Sequence, residues 1–76
     1  MTIRELERGE HAVVLTVSLT RLVKERLRAL GVFTGEKVRL LKISPRSKTY
    51  LIEAAKSGTK LAIDAETAAG IQVWRT

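Results

Sequence analysis

The sequence predicts a small, mainly β domain: about five short strands curled into a barrel, one helix after the first strand, and a short helical turn before the last. Three observations carry this. Apolar and β-branched residues recur in short runs bounded by Gly, Pro and Ser, the pattern of strands and turns. Only one stretch, Leu19 to Leu30, carries apolar residues at helical spacing. The length, 76 residues, suits a single domain over residues 1–76. Strands this short and numerous bury their edges best by closing on themselves.

Thr2 to Gly9 reads as an approach segment anchored by Ile3 and Leu6, with Glu7-Arg8-Gly9-Glu10 as a turn. His11 to Ser18 is the first strand, β-branched at Val13, Val14, Thr16 and Val17. Leu19 to Leu30 is the helix, and Ser18 or Thr20 can cap it. At about 100° per residue, Leu19, Leu22, Val23, Leu27 and Leu30 fall on one side, and Arg26 is a misfit inside that apolar stripe. Glu36 to Ser44 is the second strand. Val38 and Leu40 share one face, then Leu41 and Ile43 take the other, a phase switch that predicts a bulge. Ser44 to Lys48 is a loop around the only proline, Pro45. Thr49 to Ala55 is the third strand, with Tyr50 and Ile52 on one face, and Ser57-Gly58 makes a hairpin turn. Thr59 to Ile63 is the fourth, with Leu61 and Ile63 inward. Asp64 caps a single helical turn, Ala65 to Ala69, that ends at Gly70, and Ile71 to Trp74 closes the chain as a fifth strand. This order of elements suits an SH3-like barrel.

The composition removes several function classes. Without cysteine there are no disulfides, thiolate metal sites, iron–sulfur ligands or cysteine nucleophiles. No histidine stands beside a nucleophile, and there is no phosphate-binding glycine loop or carboxylate pair in a shaped cleft, so the chain is expected not to be an enzyme and to need no cofactor. The longest apolar run, Ala12 to Leu15, falls far short of the roughly 20 residues that span a bilayer. The charged N-terminus lacks the apolar middle of a signal peptide. The expectation is a cytoplasmic protein with no membrane insertion. Lysine and arginine total 14 against 8 acids, a net charge of +6. That excess attracts phosphate, nucleic acid, anionic lipid or an acidic protein face, and it also keeps a small domain soluble.

The most specific stretch is Arg26-Leu27-Arg28-Ala29-Leu30-Gly31-Val32-Phe33-Thr34-Gly35-Glu36-Lys37-Val38. Leu27 and Leu30 share a helix face, Gly31 sits where a left-handed cap is needed, and Gly35 turns the chain into the next strand. With the entry Ile3 to Glu10 and the ending Leu61 to Val73, this order of motifs resembles the FeoA family, the ferrous iron transport protein A type of domain. Many members carry glycines between the first strand and the helix, where this chain has Val17-Ser18-Leu19-Thr20. The resemblance implies an SH3-like cytosolic accessory to a FeoB-type ferrous iron transporter, a membrane protein with a cytosolic GTP-binding domain. A related SH3-like fold occurs in iron-dependent repressors.

On that reading the contact surface lies between the helix, the Gly31–Gly35 turn and the neighbouring strands, with Lys24, Arg26, Val32 and Phe33 near it. Arg26 admits two readings: a guanidinium pairing with a partner's carboxylate, or, favoured here, a stem packed on the barrel with its head reaching solvent or an internal acid. His11 is the only imidazole and the weak candidate for a metal ligand, because second and third ligands are not visible. Arg21, Lys24 and Arg28 on the helix, and Arg46 and Lys48 in the loop, read as a solvated basic face. Nucleic-acid binding is the disfavoured alternative: Phe33, Tyr50 and Trp74 are the only aromatics, and at least two are expected in the core. A transition-metal-binding regulatory module is a second alternative. The sequence leaves room for a weak homo-oligomer.

Overall fold

The computed structural model describes residues 1–76. A 3-10 turn, Ile3–Glu5, precedes β1 (His11–Val17), α1 (Arg21–Ala29), β2 (Lys37–Ser44), β3 (Thr49–Ala54), β4 (Thr59–Asp64), α2 (Ala65–Ala69) and β5 (Ile71–Arg75). All strand pairs are antiparallel, in the order β4-β3-β2-β1-β5. The elements match the SH3-like order expected from the sequence, with α1 shorter at both ends than the apolar spacing suggested.

The sheet is strongly curled. In a flat sheet, β4 and β5 would lie about 19 Å apart, four strand spacings. The five residues of α2 join them, a helix only about 7.5 Å long. The strands must therefore wrap, and the molecule is nearly isotropic, 27 × 24 × 22 Å. The expected closure is not reached: β4 and β5 do not pair. Residues 1 and 2 instead cover the β5 edge. The Val73 N–H donates to the Met1 carbonyl (2.8 Å), and Thr2 bridges to Gln72. Ile3 and Ala68, both fully buried, plug the gap where the N-terminal turn meets α2.

Two bulges let both long strands keep one face inward. Core residues on a regular strand are two apart. In β1 they are Ala12, Val14 and then Val17, and the register with β5 slips between Val14 and Thr16. In β2, Val38 and Leu40 are buried and the register with β3 slips between Leu40 and Lys42. The expected phase switch is thus a bulge at Leu41. It returns Ile43 to the core-facing row through its partners Tyr50 and Ile63, so Ile43 does not pass to the other face.

The core holds fifteen aliphatic residues and no buried polar side chain. None of the three aromatics is fully buried, which corrects the expectation that at least two would be. In β5 the inward parity belongs to Ile71 and Val73, so Trp74 alternates outward beside Val13 and is 68% exposed. Tyr50 packs half-buried against the core.

Helix α1 is capped by Thr20, whose Oγ1 accepts from the Val23 N–H (3.4 Å). Only its Leu27 is buried, while Leu19 and Val23 are partly covered. Leu22 and Leu30, expected on the packed side, are exposed. At about 100° per residue Leu22 lies about 140° and Leu30 about 60° around the helix from Leu27, and only Leu27 reaches the core. Leu27→Ala should cost about 2–5 kcal/mol, a buried-leucine truncation. Leu22→Ala should stay within about 0.5 kcal/mol, as surface changes do. Urea unfolding of the two variants checks this orientation.

Asp64 caps α2 by accepting the Thr67 N–H at 2.7 Å. That backbone hydrogen bond, chiefly, holds its carboxyl below its ordinary value of 3.8. The folded state therefore favours the ionised form. The contribution is complete above the unfolded value and is lost as the pH falls through the folded one. The stability gap between the native chain and Asp64→Ala should be constant at neutral pH and shrink on acidification below about 4. Thermal melts along a pH series would show it.

Candidate functional site

The link from α1 to β2 is the most elaborately tied turn of the fold. At the end of α1 the Val32 N–H donates to the Leu27 carbonyl (2.8 Å) and the Gly31 N–H to that of Arg28 (3.0 Å). Gly31 has φ +93° and Gly35 φ +92°, both in the left-handed region that a side chain disfavours. The turn is stitched to β1: the Gly35 N–H donates to the Val14 carbonyl (2.8 Å), and the Val14 N–H to that of Glu36 (2.9 Å). Phe33 and Thr34 form its tip.

The sequence placed four residues here, and the structure separates them. Phe33 is half-buried, with the Arg28 guanidinium 5.0 Å from its ring centroid, a cation–π contact. Lys24, one helical turn before Arg28, lies on the same face. Lys24, Arg28 and Phe33 therefore form a basic-aromatic strip. Val32 is fully buried, so it anchors the turn from within and presents no side chain to a partner. Arg26 lies about 160° around the helix from Lys24, on the opposite flank, exposed and with no ion pair. Its head reaches solvent rather than an internal acid. Arg28 is the residue that sequence reasoning left out. Helical periodicity set it apart from the apolar stripe, and its contact with Phe33 spans the turn, which periodicity does not register.

Chemically this strip suits the binding of an anionic group. It holds two cations free of any acid of this chain. The nearby Glu25 pairs with Arg21 at 3.2 Å. A guanidinium stacked on a ring keeps its in-plane N–H donors free for a carboxylate. Elsewhere, a cavity of about 540 Å³ involves Arg4, Lys48, Tyr50 and Glu66, and a second of about 430 Å³ shares Arg4 and Tyr50 and adds Glu5. Two acids balance the two cations there, so the cleft selects no charge.

His11 is exposed on the outer sheet face, opposite Arg39. Its neighbour Glu10 is held by Arg75 (2.6 Å). No three His, Asp or Glu side chains converge anywhere in the fold, so the residues present do not fit a protein-held metal ion.

The model of the FeoA domain family matches residues 1–75. The chain belongs to the FeoA family. Its fold superimposes on the solution structure of the FeoA protein from Chlorobium tepidum with a TM-score of 0.90 at 29% identity, covering 99% of this chain and 70% of that one. It also matches the zinc-complexed crystal structure of Stenotrophomonas maltophilia FeoA, with a TM-score of 0.77 at 30% identity over 96% and 88% of the two chains. That protein is described as a procaryotic SH3 domain protein and a candidate activating factor of bacterial ferrous iron transport. Iron(II) transport protein A from Clostridium thermocellum shares the fold (TM-score 0.88) at 17% identity, over all of this chain and 46% of that one. No curated protein sequence gives a match. Family membership links this FeoA domain to ferrous iron transport as an accessory, outside known enzyme families. No helix in it is long and apolar enough to cross a membrane.

Gly31→Ala tests the turn that carries the strip. The added Cβ would sit in left-handed backbone, 3.1 Å from the Ala54 Cβ. A loss of about 1–2 kcal/mol in chemical denaturation is expected from the backbone strain alone.

Proposed function

We propose that this FeoA domain is a non-enzymatic cytoplasmic adapter that binds the cytosolic GTP-binding domain of a FeoB-type ferrous iron transporter and modulates it. The observation that supports this most is the strip of Lys24, Arg28 and Phe33 on the Gly31–Gly35 turn. Its two cations lack acid partners within the chain, and its ring is only partly buried, on a turn fixed by backbone hydrogen bonds. Aromatic and arginine side chains on rigid supports are what carry energy in protein interfaces. The partner face should be acidic with an apolar notch: carboxylates for Lys24 and Arg28, the notch for Phe33. Arg26 and Val32 are not contact residues in this arrangement.

The test is an NMR titration of the labelled domain with the purified GTP-binding domain. Shifts should cluster at Lys24, Arg28, Phe33 and Thr34. Phe33→Ala or Arg28→Glu should weaken binding at least about tenfold, about 1.4 kcal/mol, while Arg46→Glu on the distant loop should not. Undiminished binding by Phe33→Ala and Arg28→Glu, both still folded, would remove this surface. Binding to single-stranded RNA instead, with a steep salt dependence, would favour the nucleic-acid reading.

A further inference from the structure

The other flank of α1 carries an exposed apolar row that the adapter reading does not use. Leu22 is 59% exposed and Leu30 41%. With Arg26 between them they stand at i, i+4 and i+8, so they line one side of the helix. The helix carries four cations, Arg21, Lys24, Arg26 and Arg28, against the single acid Glu25, which Arg21 already neutralises. Lys24, Arg26 and Arg28 have no acid partner. The apolar row thus carries one uncompensated cation of its own, Arg26, on a domain of net charge +6.

We infer that α1 docks on an anionic phospholipid surface through Leu22, Arg26 and Leu30. Short amphipathic helices with basic flanks lie in the bilayer interface, leucines toward the acyl boundary and long basic side chains extended to the phosphates. Arg26 suits that role: its stem follows the leucine row and its head reaches the headgroups. Two leucines alone bind weakly, so anionic lipid is required to add the electrostatic part. A second copy of this chain fits poorly, since a two-fold contact would set Arg26 against its own copy. Nucleic acid would leave the leucines in water. The inference does not rest on the transporter: the Lys24–Arg28–Phe33 strip faces the other way.

Vesicle flotation of the intact protein tests it, with phosphatidylcholine vesicles against vesicles that also contain phosphatidylglycerol. The domain should float only with the anionic vesicles, and less as salt rises. A Leu22→Ser, Leu30→Ser double variant, its fold confirmed by NMR, should bind at least tenfold more weakly. Leu22→Trp, placed in a Trp74→Phe background, should shift its indole emission to the blue on anionic vesicles only. Flotation unaffected by the double variant, or an indole emission that does not move, would overturn the proposal. So would a dimer abolished by the double variant together with no vesicle binding, which would give the row to a second copy.

Discussion

The fold depends on a length constraint: a five-residue helix joins the two strands at opposite edges of the sheet. That link is possible only if the sheet wraps, and wrapping requires places where the strands can bend without turning their apolar side outward. The bulges at Leu15 and Leu41 supply them, each between inward positions three residues apart rather than two. The same wrapping brings Ile3 to Ala68 and lets residues 1 and 2 cover the β5 edge. The core that results is aliphatic and complete, built mainly from strands, with Ile3, Leu6, Leu27, Val32 and Ala68 added from the turns and helices.

That completeness determines what the helix is for. A helix on a sheet usually contributes a broad apolar stripe to the core. Here one side chain, Leu27, enters, and the loop beyond it is secured by backbone hydrogen bonds and two left-handed glycines. The helix is therefore anchored at its C-terminal end and free along most of its circumference. Its charges and remaining leucines contribute little to folding.

Much of the fold was legible in the sequence because it follows local rules. Gly31 stood where left-handed backbone is needed, Gly35 at the turn into β2, Asp64 three residues before the N–H it caps, and Leu41 where the apolar phase slipped. The β1 bulge obeys the same rule as that in β2, but the continuous run from Ala12 to Leu15 hides its phase. The failures share one cause. Periodicity says which residues point the same way, whereas coverage depends on distant strands. Leu22 and Leu30 belong to the same apolar stripe as Leu27 but to its uncovered edge, Val32 sits beneath the turn instead of on it, and Trp74 loses the core to Ile71 and Val73 by parity. At the candidate site, Phe33 and Lys24 were identifiable, but the contact that joins them runs through Arg28 across the turn.

One nine-residue helix thus presents two chemically different flanks. Leu27 points into the core between them, so neither can roll over to replace the other. Lys24 and Arg28 face one side beside an aromatic ring, which favours a rigid acidic protein surface. Leu22, Arg26 and Leu30 face the other, where mobile lipid can take up two leucines and an arginine without complementary shape. Because about 160° separates Lys24 from Arg26, occupancy of one flank leaves the other open. The two contacts would then act together as tethered ones do. On the two proposed contacts taken together, a weak hold on the bilayer would raise the local concentration of the basic-aromatic strip near a membrane-embedded partner, and each contact need only be modest for the pair to be effective.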